Sequence, residues 1–320
     1  MKLNQLVEEW LYSYHKDNIK TQSLMRYECA YKNYILNDKL GQTNIKRITP
    51  RDMQEFINEK KKLKSRVTKN NMSANNINIL ITVLRSAFSY AVDFGLLKEN
   101  PCDKIKRMST KNQKKVVAFT VPERLKIEQH IRAMKDPEYY GIILCLYTGI
   151  RIGELLALEW KDINFEKGIM SINKTVYVTK NEYGDWYLEE NVPKTNSSIR
   201  EIPLPYYILD DLKELKKSCN SKKVVTKKDG GVMRAATLRE RFTKLTKELG
   251  VRSLNFHALR HTFATRALES GMDVRTLADV MGHANAGITL NVYTHSMTDH
   301  KINMMNNIPN LMPLVENPPS

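Results

Sequence analysis

Apolar residues recur at intervals of three and four through most of the first hundred positions, a period that predicts helices. In QLVEEWLYSYHK, residues 5–16, they fall on one face. SLMRYECAYKNYILNDKLG follows, with Ser23 placed to cap a helix and Gly41 to stop it. TPRDMQEFINEKKK opens on Thr49 and Pro50, a cap and first-turn pair. The longest periodic stretch, SANNINILITVLRSAFSYAVDFGLL, ends around Gly95. Together these predict a four-helix module without internal repeats.

The pattern breaks at residues 100–120, NPCDKIKRMSTKNQKKVVAFT, which are lysine-rich and aperiodic and read as a linker. Helices resume with TVPERLKIEQHIRAM and with PEYYGIILCLYTG, which is apolar nearly all round and predicts a buried helix. IRIGELLALEW follows a glycine turn. The period then changes to two in GIMSINKTVYVTK, DWYLEENV and SSIREIPL, joined by turns at NEYGD and PKTNS. PYYILDDLKELKKS, AATLRERFTKLTKELG, HALRHTFATRALE, DVRTLADVMG and ITLNVYTH return to helical spacing. The expected fold class is mainly α with a small antiparallel β-sheet in the second domain.

Charge narrows the function. Residues 1–115 hold 23 basic and 11 acidic side chains, a net of +12, whereas the remaining residues carry 28 and 24, a net of +4. A first domain this basic suits a polyanion, and a solvated surface is the plain alternative. No run of about 18 apolar residues occurs, so no membrane span is expected. The N-terminus has no signal-peptide pattern. Cys29, Cys102, Cys145 and Cys219 lack CxxC spacing and read as free thiols of a reducing cytoplasm.

His257, Arg260 and His261 stand at i, i+3 and i+4 and share a helix face. Ser253 or Asn255 is placed to cap that helix, so His257 lies in a first turn that favours an anion. A zinc pair at His257 and His261 is disfavoured by the charge of Arg260 between them. Arg151 follows Gly149 at the mouth of another helix, where a guanidinium can present its fork to an oxyanion, with Glu154 placed to orient it. Lys194 projects from the turn PKTNS. His283 follows Gly282 at a helix end, and Tyr293 comes ten residues later. Taken singly, each has a structural reading: an exposed helix, a surface ion pair, a solubilising lysine, a packing tyrosine.

In combination, TGIRIGELLAL, PKTNSSIREIPL, HALRHTFAT and LADVMGHANAGITLNVYTH resemble the signatures of the tyrosine recombinases, the phage-integrase family. The chain is most similar to the integrases of phages and conjugative transposons. The resemblance implies a helical, SAM-like core-binding domain over residues 1–107 and a basic linker at 108–118. An α+β catalytic domain would span 119–300, with a tail at 301–320 that contacts its own domain or a neighbouring protomer. It implies a site-specific DNA recombinase that integrates or excises a mobile element through a 3′-phosphotyrosyl intermediate. Arg151 and Arg260 would hold the phosphate, His257 take a proton, Lys194 supply one to the leaving group, and His283 hydrogen-bond the phosphate. Tyr293 would be the nucleophile. No metal or other cofactor is expected. The implied partners are double-stranded DNA, three further copies of the chain in a homotetramer on two duplexes, and a directionality factor. The implied location is the bacterial cytoplasm, at the nucleoid. An arm-binding domain precedes the core-binding helices in larger integrases of this type, and this chain opens directly on those helices. Two other readings stay open here, relaxation of DNA in the manner of a type IB topoisomerase and DNA binding without catalysis.

Overall fold

The computed structural model describes residues 1–15, 19, 21–64, 70–110, 117–134, 136–180, 185–191, 198–293 and 305–306, with the backbone alone at 15, 180, 288 and 291–293. The chain divides into two compact units, Met1–Lys114 and Lys115–Ser320. No helix among the described residues is long and apolar enough to cross a membrane.

The first unit is helical. Helix α1 (Leu3–Glu9) runs into a π-helical turn, Trp10–His15, and is followed by α2 (Thr21–Tyr34), α3 (Pro50–Lys62) and α4 (Ala74–Asp93). Its core sets Leu3, Leu6, Trp10 and Leu11 against Ile77, Leu80, Leu84 and Phe88 of α4. Thr49 and Pro50 open α3 as expected. The Thr49 hydroxyl accepts from Asp52 N–H, and Asp52 accepts from Thr49 N–H at 2.8 Å, a reciprocal cap. Ser73 caps α4. The second helix differs from its expected limits. It begins at Thr21, ahead of Ser23, and ends at Tyr34, with turns rather than helix carrying the chain to Gly41. The lysine-rich stretch also begins as packed structure. Cys102 and Ile105 are buried, and Asn78 exchanges two hydrogen bonds with the Met108 backbone, at 3.0 and 2.8 Å.

In the second unit, α5 (Val121–Met134) and α6 (Pro137–Thr148) precede α7 (Ile152–Ala157). Strands β1 (Ile163–Asn164), β2 (Ile169–Ile172), β3 (Thr175–Lys180), β4 (Trp186–Asn191) and β5 (Arg200–Pro203) follow. Helices α8 (Tyr206–Lys217), α9 (Ala235–Glu248), α10 (His257–Glu269), α11 (Val274–Met281) and α12 (Ala286–Tyr293) complete it. The strand run GIMSINKTVYVTK breaks at Asn173–Lys174 and feeds two small antiparallel sheets. One has the order β1-β2-β5, with Met170 opposite Ile202, and the other is the β3-β4 ribbon. Helix α6, apolar on all sides, is buried as its pattern predicts and packs on α9 and α10. Phe119 is fully buried, and its N–H donates to Thr262 of α10 at 2.9 Å. This packing fixes the end of α6, the start of α7 and the buried face of α10 beside one another.

Candidate active site

Helix α6 stops at Gly149, whose φ of 62° and ψ of 17° are left-handed. A side chain there would be strained, and the reversal lets Ile150 enter the core while Arg151 takes the N-cap of α7. Arg151 Nη1 donates to Glu154 Oε1 at 2.8 Å, and Arg151 N–H donates to Oε2 at 3.1 Å. Glu154 therefore orients Arg151, as expected, but from a buried position rather than in a surface pair: it is 4% exposed against 37% for the Arg151 side chain. Burial acts to raise the Glu154 carboxyl. Hydrogen bonds and charge from Arg200 and then Arg151 outweigh it and hold the group below the usual carboxylate range.

Helix α10 begins at His257. Phe256 occupies its N-cap with helical angles, and Asn255, one residue earlier, accepts from Ala258 N–H at 3.1 Å. Asn255 is thus the capping residue, and Ser253 is not. The triplet shares one face of the helix but differs in burial. His257 is exposed and Arg260 is 3% exposed. His261 is half-buried, its ring meeting His257 edge to face with centroids 4.6 Å apart. Among the described residues no third His, Cys, Asp or Glu joins that pair to form a metal site. Arg260 turns inward because Ala258, Leu259, Thr262 and Ala264 form the buried face on either side of it.

Three arginines meet at the end of α11. That helix closes on Gly282 (φ 64°, ψ 50°), with His283 N–H bonded to the Ala278 carbonyl and Gly282 N–H to that of Asp279. This closure uses the carbonyls of Ala278 and Asp279 and leaves those of Val280, Met281 and Gly282. Arg200 Nε donates to Val280 at 2.6 Å, Arg260 Nη2 to Met281 at 2.7 Å, and Arg151 Nη2 to Gly282 at 2.8 Å. Arg260 Nη1 also holds the Gly149 carbonyl at 2.6 Å. The negative end of the helix dipole and the Glu154 carboxylate offset the repulsion among the three cations.

His283 completes the cluster. Its Nε2 lies 2.8 Å from Arg260 Nη2, and its Nδ1 lies 2.7 Å from the Thr289 hydroxyl. Arginine can only donate, so Nε2 accepts and Nδ1 carries the proton in this arrangement. Burial, then the charges of Arg260, Arg151 and Arg200, lower the His283 imidazole from 6.5 to about 4. His261 is lowered to about 4 by burial, His257 and Arg260. His257 is lowered too, first by desolvation and then by Arg260 and Arg151. Its ring stays open to solvent, so that desolvation is partial.

Residues 106–300 match the phage integrase family, and residues 2–61 match the phage integrase N-terminal SAM-like domain. The chain belongs to the phage integrase family. A "Tyrosine recombinase XerC-like" protein of Caldanaerobacter subterraneus subsp. tengcongensis is 30% identical over 97% of this chain and 83% of its own length. The transposase of transposon Tn916 from Enterococcus faecalis is 26% identical over 89% of this chain and 74% of its own. The Tn1549 transposon integrase in complex with transposon right-end DNA superposes with a TM-score of 0.75 at 25% identity, covering 96% of this chain and 99% of that one. As a family member of phage and conjugative-transposon type, the enzyme is a tyrosine site-specific recombinase.

Of the six residues expected in the recombinase site, the structure brings Arg151, Arg260 and His283 together on one helix end. His257 heads the helix that carries Arg260. Lys194 lies outside the described residues, as do the turn that holds it and the tail at 301–320 apart from 305–306. Tyr293 is placed by its backbone as the last residue of α12. Two further members were not foreseen, Arg200 and Thr289. Arg200 shares a strand face with the buried Ile202, and a charge on the apolar face of an alternating strand is the signal that marked it. Thr289 is fully buried, and nothing in ITLNVYTH distinguishes it from a packing threonine. The set can hold a tetrahedral anion, because Arg151 reaches solvent, Arg260 is fixed to the carbonyl next to the one that Arg151 holds, and the histidines are neutral and able to accept or relay a proton.

Proposed function

We propose that this recombinase cuts double-stranded DNA by attack of Tyr293 on one backbone phosphorus, with Arg151, Lys194, His257, Arg260 and His283 as its catalytic partners. The observation that supports this best is the convergence of Arg151, Arg260 and His283, from three separate stretches of the chain, on the last turn of α11. A phosphodiester repels nucleophiles, and two guanidiniums at its non-bridging oxygens offset the charge that builds in the transition state. Losing one such donor costs about 3–4 kcal/mol of barrier. A free phenol ionises near pH ~10, so Tyr293 needs a cationic pocket or a base. The Tyr293 oxygen forms its bond to phosphorus, its proton passes to neutral His257, and the P–O5′ bond breaks. Lys194 protonates the departing 5′ oxygen. The 3′-phosphotyrosyl link keeps the energy of the broken diester, and a 5′-hydroxyl from another strand reverses the step without a cofactor.

Arg260 Nη2 and His283 Nε2 satisfy each other when no DNA is bound. An incoming phosphate oxygen takes over the Arg260 donor. His283 then moves its proton to Nε2 and donates to phosphate, while the Thr289 hydroxyl switches from acceptor to donor at Nδ1. Strand exchange between two duplexes needs four cleavages and each protomer carries one Tyr293, so the working form is a homotetramer. A directionality factor is a further partner. Residues 1–107 form the core-binding domain, 108–118 the linker, 119–300 the catalytic domain and 301–320 a tail that docks within or between protomers.

The test is capture from a pool of duplexes of randomised sequence, each nicked just downstream so that cleavage releases a short fragment bearing the 5′-hydroxyl and traps the adduct. Protein-linked DNA that survives detergent is sequenced. One enriched motif that depends on Tyr293 is the expected result. Adducts without sequence preference would instead mark a relaxing enzyme, and salt-sensitive binding without any adduct a DNA-binding protein.

A further inference from the structure

Arg200 is not among the residues assigned to DNA, yet its side chain is held on every guanidinium nitrogen. It opens β5 and is 6% exposed. Each guanidinium nitrogen has a protein acceptor: Nε the Val280 carbonyl at 2.6 Å, Nη1 the Ser198 carbonyl at 3.1 Å, and Nη2 Glu154 Oε2 at 2.9 Å. It thus touches both of the groups that fix Arg151. Glu154 gives Oε1 to the Arg151 guanidinium and Oε2 to Arg200. The α11 end gives the Gly282 carbonyl to Arg151 and the Val280 carbonyl to Arg200.

Without Arg200, Glu154 Oε2 keeps, among the described residues, only the Arg151 backbone N–H, at 3.1 Å. A buried carboxylate so depleted is free to rotate or to take up a proton, and either change releases its grip on Arg151. Three of the five Arg200 N–H groups go to protein acceptors, and its side chain is 6% exposed against 37% for that of Arg151. Its place in the reaction is therefore through Arg151.

We propose that Arg200 is a positioning residue for DNA cleavage, bracing Glu154 and the α11 end so that the Arg151 guanidinium faces the scissile phosphate. This rests on the assignment of Arg151 to that phosphate.

Two measurements test it, one of them free of DNA. Apo protein is treated with 4-hydroxyphenylglyoxal, and modification of Arg151 is followed by peptide mass spectrometry, with exposed Arg51 as the internal reference. In Arg200→Met, Arg151 should react several-fold faster while Arg51 is unchanged; equal Arg151 rates overturn the proposal whatever the enzyme does to DNA. On a duplex enriched by the wild type, Arg200→Met should bind normally and cleave about 10²-fold more slowly in single turnover, the scale expected for a misplaced reacting group. Added to Arg151→Lys, the same change should slow cleavage little further, because its effect passes through Arg151. Independent, multiplying losses overturn the proposal. Should Arg200→Met not fold, Glu154→Gln/Arg200→Met removes the unpaired carboxylate. Slow cleavage by a folded double variant agrees with positioning, and a wild-type rate means that Arg200 only neutralises a buried charge. Absence of any wild-type adduct would sink the cleavage chemistry and leave the Arg151 modification result standing.

Discussion

Arg260 Nη2 lies 2.8 Å from His283 Nε2, although the two residues stand on either side of α11 and 23 positions apart. The bond sets the histidine tautomer, and Thr289 stabilises it from the other nitrogen. Thr289→Val removes only that hydroxyl. The expected outcome is a roughly tenfold slower single-turnover cleavage, about 1.4 kcal/mol of barrier, with DNA affinity unchanged. A wild-type rate would remove Thr289 from the site.

Arg151→Lys keeps the charge and loses the fork. A lysine can satisfy Glu154 or the Gly282 carbonyl, but not both while also facing a phosphate. The variant should bind the enriched duplex with near-normal affinity and cleave it about 10²–10³-fold more slowly. Equal cleavage by the two proteins would place the phosphate elsewhere.

Gly149 is needed twice over. Its φ is 62°, and a Cβ there would stand 2.5 Å from Phe263 Cδ1. Its carbonyl also holds Arg260. Gly149→Ala adds backbone strain of about 1–2 kcal/mol before any clash. It should lower the thermal midpoint and reduce cleavage more than Gly250→Ala, where a similar φ of 62° meets open space. Equal effects at the two positions would separate the α6 turn from the active site.

The depressed histidines fix the sign of the pH dependence. His283 and His261 are neutral in the fold down to about pH 4, whereas an unfolded chain protonates them near 6.5. Between those values the unfolded state binds more protons, so stability falls as pH falls through that window. The carboxylates whose values are depressed, such as Glu123 and Glu159 at about 2, give their stability in full above the ordinary carboxylate value of 4.5 and lose it only as pH falls below that. Thermal midpoints should therefore decline between about pH 6.5 and about pH 5, and decline less in His261→Gln. His257 is also lowered, so cleavage should keep its alkaline rate to below pH 6.5. A midpoint flat across that range, or an acid limb above 6.5, would contradict these assignments.

The helices were legible because their apolar period is local, and α3 could be read down to its cap. The limits of α2 were not, since Ser23 and Gly41 carry signals that tertiary packing overrides. The strand pattern was visible, but its division at Asn173–Lys174 into two sheets depends on which strand finds β5 in space. In the site, Arg151, Arg260 and His283 could be named from their spacing and from the resemblance. Their common anchor could not. It arises from three carbonyls left free by a helix closure, and no side-chain pattern encodes those. The shared face of His257, Arg260 and His261 could be read from their spacing, but not the burial of Arg260, which follows from the apolar residues around it in α10.

The most direct measurement is the covalent adduct itself. Wild type and Tyr293→Phe are incubated with the enriched nicked duplex, denatured in detergent, and digested for mass spectrometry of the DNA-linked peptide. The expected result is a single 3′-phosphotyrosyl link at Tyr293, absent in the phenylalanine variant, which still binds the duplex. A link at another residue, or an adduct that survives in Tyr293→Phe, would contradict the assignment of the nucleophile and of the phosphate site built around the α11 end.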